Sequence, residues 1–335
     1  MRITSAITAL AALLALAALP AGAGASVGVN LRVLNTEGKA LAQLRQYTDT
    51  AQIKTDPDAD CFGTGSGGSG RTATVSGLTA LGVVHDAEAT QKALRPVSVT
   101  DAFGFGLGIC GFGGYKADDG HFWYLKVNHV ESSVGGDQVK VSGGDEVVWY
   151  LIRTDSCPPP DFFCGISDLE LQAPARARPN SSITVHVSAF SRTGVESNAE
   201  GAEVAGGVAQ ALTGSDGNAQ VKLGSAGVAQ LFATRGRDIP SQYGTVCVAD
   251  DIASCPAHRG LTIAGSDVAD QIAGTPGPDK IKSRGGKDRI AVRGGGPDTV
   301  KCGGGVDVVK ADRTDRVAKN CEKIRRPKQK GKGKK

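Results

Sequence analysis

Apolar and polar side chains alternate along much of this chain, with the period of two that marks half-buried strands. Residues 27–55 read as a strand pair: VGVNLRVL, a turn at Thr36-Glu37-Gly38, then LAQLRQYTDTAQIKT. Residues 78–94 break the alternation. There Leu78, Leu81, Val84 and Leu94 fit one helical face, and Pro96 ends the run. The stretch up to residue 152 then reads as hairpins, with Gly-Gly-Asp turns at 135–137 and 143–145 and with HFWYLKVNHV and EVVWYLI as core strands. Beyond Cys157-Pro158-Pro159-Pro160, a third set of strands follows in residues 168–249, among them SITVHVSAF, NAQVKL, VAQLFATR and GTVCVA.

A different period takes over near the C-terminus. Asp270, Asp279, Asp288, Asp298, Asp307 and Asp315 recur at spacings of 9, 9, 10, 9 and 8. Each is followed two residues later by Ile272, Ile281, Ile290, Val300, Val309 or Val317, and four are preceded by Gly277, Gly286, Gly296 and Gly305. Such a period predicts stacked turns. A short strand turns its Ile or Val inward, glycine gives the loop a cheap positive φ, and the carboxylates share one edge with loop carbonyls. Calcium takes about six to eight such oxygens, and a column of carboxylates without an ion repels itself, so metal binding and folding should be coupled.

The Gly-x-Asp-x-Ile/Val phrases resemble the nonapeptide repeats of RTX, or haemolysin-type, proteins over about five turns. The leading Gly-Gly of that pattern survives only at Gly274, Gly294 and Gly303; Thr275, Ser283, Arg284, Arg293 and Cys302 fill the other positions. The resemblance implies a parallel β-roll with calcium held between turns, and Asp270, Asp279, Asp288, Asp298 and Asp307 as metal ligands. The alternative is a degenerate repeat that keeps the coil without ions. Lys280, Lys287 and Arg289 flank the aspartates and would weaken affinity by repulsion.

At 335 residues the chain has room for two or three domains. Abundant glycine (47) and scarce aromatics (5%) suit several small β modules better than one large core. The formal charge of +4 is local: Lys323 to Lys335 carry eight positive charges and no acid, leaving the rest of the chain negative. That is not the footprint of a nucleic-acid-binding fold, but it suits a disordered basic tail (323–335) that holds anionic wall or surface polymer, or merely solubilises. Residues 1–25 have a positive start, an apolar core from Ala9 to Leu19 and an Ala23-Gly24-Ala25 cleavage site, the marks of a signal peptide too short to span a bilayer comfortably. No later segment is apolar enough to cross.

All eight cysteines follow the leader, which in an exported chain implies disulfides. Sequential pairing is the simplest of the possible connectivities: Cys61–Cys110, Cys157–Cys164, Cys247–Cys255 and Cys302–Cys321. No cysteine or histidine spacing suits zinc. Two Gly-x-Gly-x-x-Gly strings lie outside any strand-to-helix turn, so dinucleotide binding is set aside. No Gly-x-Ser-x-Gly or His-Glu-x-x-His occurs, and the five histidines are scattered, so the chain reads as no enzyme.

Three marks in residues 27–155 resemble the C-terminal β-domain of transcobalamin and its bacterial relatives. They are the Ala-Leu helix, the Trp-Tyr-x-x-Val-Asn phrase (Trp123, Tyr124, Val127, Asn128) and the Gly-Asp-Glu-Val-x-Trp hairpin (Gly144 to Trp149). This implies a β-grasp-like α+β domain, with Trp123, Tyr124 and Trp149 as a possible ligand face or as plain core. TGSDGNAQVKL and the run after it resemble bacterial Ig-like sandwiches, which serve as spacers or adhesion units. The expected order is signal peptide (1–25), transcobalamin-like domain (27–155), Pro-rich linker (156–167), Ig-like β-sandwich (168–249), linker (250–260), calcium-binding-type repeats (261–322) and tail. The chain is thus mainly β and multidomain. The expected function is a secreted, calcium-binding structural or cell-surface adhesion protein. The alternative is an extracellular binder of a small nutrient, corrinoid-like, through the N-terminal domain.

Overall fold

The computed structural model describes residues 26–59, 61, 63, 65–154 and 165–328. The expected leader, the Cys157–Cys164 pair and the last seven residues of the tail lie outside them. As the alternation predicts, the chain is mainly β and is divided among several sheets. No helix among the described residues is long and apolar enough to cross a membrane.

One sheet is the hub. Val27–Leu34 pairs antiparallel with Ala40–Thr48 on one side and parallel with Glu146–Arg153 on the other; Glu146–Arg153 in turn pairs antiparallel with His121–Val127. The buried Asn35 shapes the first turn, its side-chain oxygen accepting from the N–H of Glu37 (3.1 Å) and Lys39 (2.8 Å). Alternate side chains point to opposite faces, yet both faces are buried. Val29, Leu31, Val33, Trp123, Leu125 and Trp149 pack on the first core with the helix Ala80–Glu88. Leu34, Tyr124, Val148, Tyr150 and Ile152 pack on Ile166, just before the middle module, and on Ile239 within it.

Two details depart from the sequence reading. The expected helix over 78–94 is three pieces. Leu78 precedes the Thr79 cap and is 43% exposed, the helix runs Ala80–Glu88, and Lys92–Leu94 is a separate 3₁₀ turn. Thr79 Oγ1 accepts from Gly82 N–H (3.2 Å), which fixes the cap one residue after Leu78 and the first helical residue at Ala80. The run after the first turn also divides. Ala51–Lys54 leaves the hub sheet and pairs with Thr72–Val75, because Asp49 N–H is taken by the Asp86 carboxylate (2.8 Å) and the strand stops there.

Residues 168–249 form two sheets around a common core of Leu169, Val185, Val187, Val204, Val221 and Leu231. Cys61–Cys110, Cys247–Cys255 and Cys302–Cys321 are joined, with Cα separations of 5.0, 5.8 and 5.2 Å.

The hub and middle modules meet at a buried charge cluster. Lys126 and Asp168 are both fully buried and ion-paired, and Lys126 Nζ also donates to the carbonyls of Phe190 (3.2 Å) and Ser191 (2.8 Å). Asn128 and His129 take positive φ in a two-residue hairpin loop, which swings His129 over Phe190 (ring centroids 3.6 Å) and onto Asp168. Burial would raise the Asp168 pKa, but the His129 hydrogen bond and the Lys126 charge outweigh it and hold it below the usual range. Burial likewise opposes charge on His129, and the Asp168 bond overrides that and raises its pKa.

Beyond Gly260 the chain coils. Thr262–Ala264, Lys280–Lys282, Thr299–Lys301 and Arg316–Val317 stack in parallel as one sheet; Gln271–Ala273, Arg289–Ala291, Val308–Lys310 and Lys323–Arg325 stack as another. Ile263, Ile281 and Val300 face inward from one side, and Ile272, Ile290 and Val309 from the other. The coil is not a separate body. Its first strand pairs in parallel with the hub edge, Arg45 opposite Ile263 and Gln46 opposite Ala264, so the two form one nine-stranded sheet.

Removing one partner of a buried ion pair costs about 3–5 kcal/mol. Asp168→Asn should lower the unfolding free energy of the full chain by that much in urea. The double change Lys126→Met with Asp168→Leu should recover at least half of it.

Candidate functional site

The aspartates occupy the corners where each short strand begins, and the coil sorts them into two files. Asp270, Asp288 and Asp307 form one file and Asp279, Asp298 and Asp315 the other. Within a file each carboxylate reaches one coil back. Asp270 N–H donates to Asp288 Oδ1 (2.9 Å), and Asp288 N–H to Asp307 Oδ1 (2.9 Å). In the second file Asp279 N–H donates to Asp298 Oδ1 (2.7 Å), and Asp298 N–H to Asp315 Oδ1 (3.1 Å). Glu322 ends the first file by accepting from Asp307 N–H (2.8 Å). All six aspartates are at most 5% exposed. The glycines are a steric need of this stacking. At Gly305 (φ +117°) a Cβ would lie 1.7 Å from the Gly286 carbonyl oxygen of the coil below.

The second carboxylate oxygens divide the column. Asp270 Oδ2 accepts from Ser266 N–H (2.7 Å) while Oδ1 takes the Ser266 hydroxyl (2.9 Å) and that of Ser26. Asp279 is held in the same way by the N–H and hydroxyl of Thr275 and by Leu261 N–H (2.7 Å). Asp315 Oδ2 accepts from Asp312 N–H. Asp298 and Asp307 have no such partner: their Oδ2 atoms are buried and bare. Asp288 Oδ2 also lacks an aligned hydrogen bond, but the buried Ser283 hydroxyl stands beside that carboxylate. The five expected metal ligands are therefore two kinds of residue. Asp270 and Asp279 have both oxygens engaged within the protein, and Asp288, Asp298 and Asp307 each keep one oxygen without an aligned hydrogen bond.

The difference is written four residues upstream. Ser266 and Thr275 carry hydroxyls at that position, whereas Arg284, Gly294 and Gly303 carry none. Reading the aspartates alone misses this signal.

Burial raises the pKa of Asp288 to about 6, opposed by the Ser283 hydroxyl and the Asp270 N–H and helped by the charges of Asp270 and Asp307. Asp298 is raised to about 6 by the same cause, helped by Asp279, Asp315 and Asp312. A bare, desolvated carboxylate oxygen is costly, and a hard cation that takes oxygen ligands relieves that cost. The donors present fit calcium in kind, with Asp288 and Asp307 in one file and Asp298 in the other. No three acidic, His or Cys groups converge on one point among the described residues, so loop carbonyls or solvent would supply most of the ligands. The flanking cations interfere less than their sequence positions imply: Lys280 and Arg289 stand on outward, exposed strand positions.

The possible ligand face around the tryptophans does not form one face. Trp123 and Trp149 are buried in the first core, both edge-on to Phe112 at 4.6 and 5.9 Å. Tyr124, their neighbour on the strand, points to the opposite side, where its hydroxyl donates to Glu131 (2.8 Å). The cavity beside the two indoles measures about 50 Å³, room for a water molecule or two and far below the size of a corrinoid. His121 pairs with Asp118 (2.8 Å).

The chain matches no protein-family model, no curated protein and no solved structure.

Asp288 and Asp298 have folded-state pKa values above their unfolded value of 3.8, so the native state binds more protons between the two. Their contribution is complete below that value and is lost as pH rises through about 6. In chelator, the melting temperature of the coil should fall from pH 4.5 to pH 7.5, as followed by calorimetry. Asp298→Asn should flatten that fall.

Proposed function

We propose that this chain is an exported, calcium-stabilised structural or cell-surface protein, in which the C-terminal coil takes up the ion. The observation that carries the reading is the set of three buried carboxylate oxygens without an aligned hydrogen bond, on Asp288, Asp298 and Asp307, in loops that resemble RTX repeats. Ionised together without a cation, they would strain the coil; a divalent cation bound there would make the ionised form the stable one. The three disulfides among the described residues suit an oxidising compartment. The two-faced burial of the hub sheet suits a rigid support, with the middle module as its spacer.

The test is thermal unfolding of the full chain at pH 7.5 with calcium or chelator. Millimolar calcium should raise the coil transition by several degrees, and more at pH 7.5 than at pH 5, where protons compete. Asp298→Asn and Asp307→Asn, one in each file, should each remove part of the increment, and the two together most of it. Asp270→Asn should lower the baseline stability and leave the calcium increment in place. A transition that does not move up to 10 mM calcium would leave a metal-free scaffold.

A further inference from the structure

A groove of about 600 Å³ opens where the three parts of the chain meet, within the roughly 300–1,000 Å³ range of clefts that hold small ligands. Its floor is the hub sheet at Asn30, Arg32, Gln43 and Arg45. One wall is the middle module at Glu170, Gln230, Tyr243 and Thr245, and the other is the segment Arg259–Thr262 that leads into the coil.

Several lining groups are already engaged. Gln43 exchanges hydrogen bonds with the Tyr243 backbone, accepting at 3.0 Å and donating at 3.4 Å. Gln242 does the same with Leu171, at 3.4 and 3.1 Å. Arg32 is paired with Glu146 (3.1 Å) and donates to the Pro240 carbonyl (2.7 Å). These contacts fix the walls.

The remaining groups are free to act on a ligand. Arg45 donates from Nε to Asn30 (3.1 Å), and Arg259 from Nη2 to the Ala173 carbonyl; neither has a carboxylate partner among the described residues. Arg259 is held in place. Its guanidinium lies against Gly244, where a Cβ would approach Nη1 to 3.3 Å, and its backbone against Gly277, where a Cβ would lie 2.0 Å from the Arg259 carbonyl. Burial disfavours its charge, and no acid offsets that. The Glu170 carboxylate, the Gln230 amide and the Tyr243 and Thr245 hydroxyls have no hydrogen-bond partner among the described residues. The Tyr243 ring is braced by Phe232, with centroids 5.3 Å apart.

We infer that this groove binds an acidic oligosaccharide, with Arg45 and Arg259 taking its carboxylates and Glu170, Gln230, Tyr243 and Thr245 its hydroxyls. Two guanidiniums without internal counter-ions call for an anion. The dense mixture of neutral donors and acceptors around them calls for a ligand rich in hydroxyl groups. A braced aromatic ring at the wall offers an apolar surface to a sugar face. This site is separate from the aspartate column and from the basic tail.

The test is isothermal titration calorimetry of the full chain with a galacturonic acid trisaccharide. Saturable binding that weakens with added salt is expected. Arg45→Gln and Arg259→Gln should each weaken it about tenfold or more, the loss expected for a charged hydrogen bond. Thr245→Trp, which keeps both arginines and fills the groove, should abolish it with an unchanged melting temperature. The methyl-esterified trisaccharide should bind at least tenfold more weakly. No saturable binding, equal binding of the esterified sugar, or binding indifferent to the groove variants would overturn the inference. So would loss of binding in a chain ending at Lys328, which would assign the anion to the tail.

Discussion

A sheet edge that is already ordered decides how the C-terminal third of this chain can fold. A coil of three-residue strands has little to offer at its first turn, because each turn buries its apolar face only against a neighbour. Here the missing neighbour is supplied from more than two hundred residues away. Arg45 and Gln46 pair with Ile263 and Ala264, and Tyr47 enters the coil core beside Ile263 and Ile272. The Gln46 amide donates to the Gly265 carbonyl (3.1 Å), which adds a side-chain bond to the same seam. An exposed edge strand is a hazard in a β protein; this one is consumed as a template.

The same sheet also explains why the modules are not beads on a string. Its two faces are covered by different partners, and alternation assigns neighbours such as Trp123 and Tyr124 to opposite sides. Burying Lys126 and Asp168 at the second boundary costs solvation, and four fixed contacts offset it: the ion pair, two backbone carbonyls and His129. A contact with that many simultaneous conditions tolerates few relative positions of the two modules. The groove floored by Asn30 and Arg45 inherits that fixed geometry.

Much of this could be read from the chain, and the gaps have physical causes. The strands at 27–34, 121–127 and 146–153, the stacked turns and three of the disulfides follow from periodicity and from cysteine order. Alternation already sends Trp123 and Tyr124 to opposite sides, so the Trp-Tyr-Trp set is two surfaces; what alternation does not tell is which module covers each side. Nor does it reveal pairing between distant strands, which is why the coil read as a separate domain. Within the column, the period gives the aspartates equal standing. What separates Asp279 from Asp298 is a hydroxyl, Thr275 against Gly294, whose effect exists only once the loop closes on the carboxylate.

Cys302 and Cys321 are 19 residues apart, close to the length of one full turn of the coil. The bond therefore joins equivalent corners of successive rungs, at the end farthest from the template, where Ile324 is left 41% exposed. An untied spiral peels from its open end, rung by rung. Tension applied through the C-terminus could strip Lys323–Arg325, which lies beyond Cys321, but would then have to break a covalent link before residues 303–320 could unwind, so the free end is a fastened hem and the load passes inward to the shared sheet.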